Sequence, residues 1–223
     1  MVGKRLFFIF AALIYYLKMK ILAVGMNYAQ HVKELGHRER PMEPVLFLKP
    51  DSAILKPGMP FFMPDFSQSI HYETEVVVRI SRLGKRIAPK FAHRYYDAVT
   101  VGIDFTARDL QNRLKEKGLP WLLSKGFDNS AAIGSFVPLD ELGGNVQNLH
   151  FHLNIDGQTI QRGFTGDMLF SVDEIIAYVS KFMTLKIGDL LFTGTPVGVG
   201  PVDLEQHLEG FLEDRKLLDV RIK

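Results

Sequence analysis

No cysteine occurs anywhere in the 223 residues. Disulfides, thiolate metal sites and cysteine nucleophiles are therefore excluded, and any metal must be held by oxygen or imidazole. Neither sign of charge is in excess: 27 Lys and Arg stand against 25 Asp and Glu, a formal net charge of +2. The basic residues do not gather into a stripe, so no field draws this chain toward nucleic acid. Linkers, repeats and low-complexity tracts are missing from Met19 onward. A cysteine-free chain is compatible with cytoplasm, which is the expected location.

Apolar runs of membrane length are also lacking. The longest, Leu6 to Leu17 within KRLFFIFAALIYYLK, is shorter than the roughly 20 residues a membrane-crossing helix needs. It resembles the core of a signal peptide, yet no small-x-small cleavage site follows. Met19 comes next, and KILAVG after it reads as a buried first strand. Residues 1–18 are thus expected to be an apolar extension upstream of a start at Met19, or a leader, with a membrane anchor as the alternative. Residues 19–223 are expected to form one domain without a membrane partner.

Short β-type segments dominate what is there: Ile21 to Val24, Val45 to Leu48, Glu73 to Ile80, Val99 to Asp104, Leu190 to Thr193 and Leu217 to Ile222. LHFHLNIDGQTIQRG reads as a hairpin, because Asp156-Gly157 between alternating runs is a favoured two-residue turn. Helices are fewer. One is expected from Tyr28 to Leu35, with Asn27 as N-cap and Gly36 as stop. Another follows Asp104 and ends at Gly118, and a third is SVDEIIAYVSKF, capped by Ser171. Strands interleaved with a few helices, without regular βαβ alternation, indicate an α+β, mostly β domain.

Within HYETEVVVRI, Glu73 and Glu75 fall on one face of a strand, with Arg79 as the one nearby cation. Same-face neighbours lie roughly 6–7 Å apart, given a rise of about 3.3 Å per residue. The plain reading is a solvated polar face, and on this strand alone it is the favoured one. The sharper reading is a shared hard cation, which keeps both carboxylates ionised where crowding would otherwise raise their pKa. Asp104 ends the next strand in VGIDFTARDLQ and could cap the following helix. It could equally complete a three-carboxylate shell for Mg2+, Mn2+ or Ca2+.

His31 and Glu34 in NYAQHVKELG are three apart on the first helix, so they share a face. They are either an exposed polar pair or a general base oriented by a carboxylate. Lys125 in WLLSKGFDN sits among apolar and turn residues close to Trp121, a weak hint of a pocket. FTGTPVGVG, from Phe192 to Gly200, lacks the spacing of a phosphate-binding glycine motif. It reads as a tight turn, or as a loop whose glycines let Thr195 and nearby backbone N–H groups approach a ligand.

In order along the chain, GMNYAQHVKELG, PVLFLKP, HYETEV, VGIDFTARDLQ, KGLPWLLSKGFD and MLFSVDEIIAYVSKFMTLKIGDLLFTGTPVGVGP resemble the fumarylacetoacetate hydrolase family from Lys20 onward. TARDLQ, with KGLPW ahead of Ser124-Lys125, resembles its small acylpyruvase and oxaloacetate decarboxylase branch. The resemblance implies rolled, mixed β-sheets and usually a homodimer. It implies a Mg2+ or Mn2+ site of Glu73, Glu75 and Asp104, and a lid helix carrying a His31–Glu34 dyad. Lys125 would face the substrate, and Gln111, Thr195 and Asn27 would hold a small 2-oxo acid. Two departures bear on the substrate: Met26 stands where relatives have arginine or leucine, and Asn129-Ser130-Ala131-Ala132 replaces a proline-containing run.

The activity so implied is divalent-metal-dependent cleavage of a C–C bond in a 2-oxo or 1,3-dicarbonyl acid through an enolate. The enzyme would be an acylpyruvate hydrolase, an oxaloacetate decarboxylase or both. An isomerase or tautomerase on the same residues is the alternative, and a non-catalytic keto-acid-binding protein is a further one.

Overall fold

The structure, a computed structural model, describes residues 19–30 and 41–223. Along the chain come β1 (Ile21–Gly25), β2 (Val45–Lys49), β3 (Ile70–Tyr72), β4 (Thr74–Ile80), β5 (Tyr96–Asp104) and β6 (Thr106–Ala107). Next are α1 (Arg108–Glu116), α2 (Leu122–Lys125), β7 (Ala131–Ile133), β8 (Val137–Pro138), β9 (His150–Ile155) and β10 (Gln158–Phe164). The chain closes with α3 (Val172–Phe182), β11 (Leu190–Phe192), β12 (Gly200–Pro201), β13 (His207–Leu212) and β14 (Arg215–Arg221). The α+β, mostly β class expected from the sequence is what forms.

The strands make three sheets. A seven-stranded mixed sheet runs β2-β1-β11-β4-β5-β7, with β8 also on β5; β1 and β11 are parallel and the other pairs antiparallel. A four-stranded antiparallel sheet runs β10-β9-β13-β14, and a small one runs β12-β3-β6. Alternation along β4 decides which face is core. Val76, Val78 and Ile80, with Leu22, Val24 and Val99 beside them, pack against Val172, Ile175, Ile176 and Val179 of α3. Val101 and Ile103 on the same face of β5 meet Leu153, Ile155, Leu208 and Val220 of the four-stranded sheet. The opposite face carries Glu75, Val77, Gly102 and Asp104, with Ile21, Ala23 and Phe192 filling its apolar part.

Local chemistry explains the best-defined elements. Ser171 and Glu174 form a reciprocal capping box at the start of α3, which satisfies two backbone donors that the first turn leaves free. The β9–β10 hairpin turns at Asp156-Gly157, both at positive φ (50° and 81°), as the dipeptide predicts. The strand expected from Glu73 to Ile80 forms as β4, Thr74–Ile80, but the longer stretch HYETEVVVRI from His71 to Ile80 is divided. β3 pairs with β12 and β6, whereas β4 pairs with β11 and β5. Glu73 is thus the residue at which the chain passes from one sheet to another. Of the helix expected from Tyr28 to Leu35, Ala29 and Gln30 are helical, Tyr28 instead bridges Met168, and residues 31–35 lie outside the described residues. The apolar extension at 1–18 lies outside them as well.

Candidate active site

The register of β4 on β5 builds the site. Thr74 pairs with Ile103 and Glu75 with Gly102, and the Asp104 N–H donates to the Glu73 carbonyl at 2.8 Å. Glu73 and Asp104 therefore stand opposite each other, and side chains directly opposite are about 5 Å apart at their Cβ atoms. Glu75, two residues along, joins them on that face. Carboxylate oxygens of all three lie within 4.8 Å of one another. The solvated-face reading does not hold: Glu73 is 6% exposed, Glu75 1% and Asp104 0%.

Three cations from distant parts of the chain meet this anionic cluster. Lys125 Nζ lies 2.6 Å from both Glu73 Oε2 and Asp104 Oδ2 and donates to Thr106 Oγ1 at 2.7 Å. Burial alone would depress its pKa, but Asp104 and Glu73 outweigh burial and raise it, so Lys125 stays an ammonium. Lys49, at the end of β2, approaches Asp104 Oδ1 to 2.6 Å and donates to the Lys125 and Ser130 carbonyls and to Ser130 Oγ. Burial holds it below the ordinary lysine range despite Asp104. Arg108, at the start of α1, pairs with Glu73 Oε1 and donates to Gln111 Oε1 at 2.7 Å. The short helix α2, expected as loop, is what buries Lys125.

Glu75 lacks such a partner among the described residues. Its hydrogen bond there comes from the Gly194 N–H, at 2.7 Å to Oε2. Burial, then the charge of Asp104, pushes its carboxyl well above the usual range. Gly194 makes that bond possible. It sits at φ +99°, and a Cβ there would come within 2.7 Å of Asn27 Cβ. Three buried carboxylates, one without a cation partner among the described residues, form a hard-oxygen donor set that fits Mg2+ or Mn2+. Among the described residues Asp104 Oδ1 accepts no hydrogen bond, the Lys49 ammonium being its close charged neighbour, so it retains lone-pair capacity for an ion.

Val24, Gly25, Met26, Phe47, Trp121 and Lys115 frame a cleft over these groups, with Gln111 and Thr195 on its wall. Met26 adopts φ 59°, a left-handed conformation uncommon for a residue with a side chain. Thr195 Oγ1 donates to the Thr74 carbonyl at 2.9 Å and accepts from Gln161 Nε2 at 2.8 Å. Asn27 is buried, and its amide goes to backbone: it accepts from Phe170 N–H and donates to the Phe170 and Thr193 carbonyls. That clamp ties the segment after β1 to Phe170, ahead of α3, and to Thr193, just after β11. His31 and Glu34 lie outside the described residues.

Sequence reasoning does not single out Lys49, Arg108 or Gln161. Arg108 lies inside TARDLQ, one turn ahead of Gln111, so its place on the cleft is open to a helix-spacing argument. Lys49 at the end of an apolar strand and Gln161 within an exposed hairpin carry no such signal. A second group, His207, Glu209 and Asp219, also brings ligand atoms within 4.8 Å. Lys216 already bonds both carboxylates there, which makes it a surface ion-pair cluster.

Known proteins resemble this chain along its length. The pattern of the fumarylacetoacetate (FAA) hydrolase C-terminal family matches residues 20–223. A mitochondrial oxaloacetate decarboxylase of Dictyostelium discoideum is 46% identical over 184 residues, 82% of this chain and 84% of that protein. The oxaloacetate tautomerase YcgM of Escherichia coli K12 is 40% identical over 197 residues, covering 88% and 90%. Among solved structures, a fumarylpyruvate hydrolase from Pseudomonas aeruginosa in complex with Mn2+ and pyruvate superposes with a TM-score of 0.84. It is 36% identical and covers 91% of this chain and 88% of that one.

Proposed function

Because this chain belongs to the fumarylacetoacetate hydrolase family, we propose that it is a divalent-metal-dependent enzyme acting on a short 2-oxo dicarboxylic acid of the oxaloacetate type. The reaction is tautomerisation of its enol and keto forms, or loss of CO2 from it. The observation that carries this reading is the buried cluster of Glu73, Glu75 and Asp104 faced by Lys49, Lys125 and Arg108. Three carboxylates and three cations balance. A divalent ion would leave the site at about +2, the charge that a dianionic substrate neutralises and a monoanion does not.

Bound between the three carboxylates, Mg2+ or Mn2+ would supply Lewis-acid stabilisation of charge on the substrate's oxygens. The chain's own groups do the rest. Arg108 offers a planar pair of N–H donors suited to a substrate carboxylate, and Gln111, which it already holds, fixes its orientation. Lys125 keeps its positive charge where negative charge develops as a proton or CO2 leaves C3. Thr195 supplies a hydroxyl at the cleft wall, its position set by Gln161. Phe47 and Trp121 exclude water from one side, and an edge-on contact at 6.1 Å holds the two rings together. His31, oriented by Glu34, is proposed to move the proton at C3 or to activate water where a distal acyl group is cleaved.

Tautomerisation and decarboxylation share the same charge at the C2 oxygen, so one assay must separate them. Metal-stripped protein is given Mg2+ or Mn2+ and oxaloacetate, with enol absorbance and pyruvate followed together. Metal-dependent enol decay without matching pyruvate identifies the tautomerase; stoichiometric pyruvate identifies the decarboxylase. Neither change above the metal-only blank refutes the reading. The expected assembly is a homodimer, checked by light scattering.

A further inference from the structure

The seven-stranded sheet has two ends with different chemistry. Gly25, Thr74, Asp104 and Thr193 mark the end that carries the acidic cleft, whereas Ile21, Ile80, Tyr96 and Leu190 mark the other. From Glu75 to Ile80 along β4 the separation is roughly 17 Å, at about 3.3 Å per residue. At the far end, the loop after β4 is tied to the loop between α3 and β11. Gly84 and Leu185 exchange backbone hydrogen bonds at 3.0 and 2.8 Å, and the Gly188 N–H donates to the Ile80 carbonyl at 2.8 Å.

Arg82, Lys85 and Lys186 on these two loops are exposed, and none is in an ion pair among the described residues. Arg82 lies over the Tyr95 ring at 5.9 Å, and Lys85 Nζ donates to the Phe182 carbonyl at 2.6 Å. No Asp or Glu occurs from Ile80 to Tyr96 or from Ile175 to Gly188. Asp189, which follows, is buried and paired with Lys20. Three apolar side chains share this end: Leu83, Phe182 and Ile187 are 63%, 62% and 48% exposed. Exposed apolar tips among unpaired cations make an interfacial surface, in which the tips enter the headgroup boundary and the cations meet anionic lipid.

The chain brings a further apolar element to the same place. Lys20 Nζ donates to the Thr184 carbonyl at 2.8 Å, so the apolar run Leu6 to Leu17, with Lys4 and Arg5 ahead of it, joins the domain at this end. An acidic protein partner would account for the cations alone. A bilayer accounts for the cations, the apolar tips and the adjoining run together.

We propose that this end of the sheet docks on an anionic phospholipid bilayer. Leu83, Phe182 and Ile187 enter the headgroup boundary, and Arg82, Lys85 and Lys186 lie among the phosphates. In that orientation the acidic cleft faces away from the bilayer and stays open to water. Net charge, averaged over the whole chain, hides this grouping, which is why the sequence carries no membrane expectation for residues 19–223.

The full chain is sedimented with vesicles of phosphatidylcholine alone, and with vesicles of two parts phosphatidylcholine to one part phosphatidylserine. Each cation near an anionic surface contributes about fivefold in affinity. R82Q/K85Q/K186Q should therefore bind the mixed vesicles roughly a hundredfold more weakly, with binding to phosphatidylcholine alone unchanged. L83S/F182S/I187S should weaken binding to both vesicles. Both variants alter exposed side chains and should keep the parent's melting temperature. No preference of the parent for the mixed vesicles, or a preference that survives in R82Q/K85Q/K186Q, would overturn the proposal. So would undiminished binding by L83S/F182S/I187S, the outcome expected of a surface that reads anionic charge alone, as on an acidic protein.

Discussion

Replacement of Lys49 by methionine keeps most of the unbranched side chain and removes its charge. Lys49 is wholly buried, faces Asp104 Oδ1 at 2.6 Å, and donates to two carbonyls and one hydroxyl. Its loss leaves Asp104 to Lys125 alone and strips the Ser130 and Lys125 carbonyls of a donor. Removing one partner of a buried ion pair costs about 3–5 kcal/mol, because the other charge remains without compensation. For a chain of this size each kcal/mol moves the midpoint roughly 2–4 °C, so the metal-free variant should melt roughly 6–20 °C below its parent. The assay is thermal unfolding in EDTA, repeated with saturating Mn2+. The loss should shrink with the metal, since the ion returns positive charge to the same carboxylate. A drop below about 1 kcal/mol, the level of an exposed ion pair, would refute the assignment of Lys49 as the cation that holds Asp104 in place.

Glu75→Gln should abolish the Mn2+-dependent stabilisation read as a rise in melting temperature, a stabilisation that for the parent is about 2.7 kcal/mol at a hundredfold excess over the dissociation constant. In EDTA the same variant should gain on its parent as pH rises. The raised carboxyl pKa means the folded chain binds that proton more tightly than the unfolded one, so the parent loses stability with increasing pH and glutamine does not; parallel melting curves across pH would contradict this. Metal uptake should strengthen with pH and release a proton, because Glu75 must ionise to bind; calorimetric heats identical in buffers of different ionisation enthalpy would contradict that. Gly194→Ala should destabilise by about 1–3 kcal/mol from its positive φ and the clash with Asn27. It should also weaken Mn2+ binding, since the N–H that orients Glu75 moves; unchanged metal affinity would show that this donor is dispensable.

Strand alternation is enough to place Glu73 and Glu75 on one side of the chain, and a strand ending at Asp104 offers a third carboxylate. The Asp156-Gly157 turn and the Ser171 cap are legible for the same reason: each depends on residues within one turn or one hairpin. The short helix that buries Lys125 is not, because four residues carry too little periodicity to separate helix from loop. Nor is the break at Glu73, which depends on which strands each half pairs with and not on its own side chains.

Residue types and spacing by themselves determined the donor set, oxygen without sulfur, and the face it occupies, since both follow from composition and a two-residue repeat. Only the tertiary structure decided that these carboxylates are buried, that Lys49, Lys125 and Arg108 balance them, and that Glu75, among the described residues, is left without a cation. Those contacts join residues from 21 to 55 positions apart. Their existence rests on the register Thr74 to Ile103, and the pleat makes that register decisive: a one-residue slip would turn Asp104 away from Glu73 and dissolve the site.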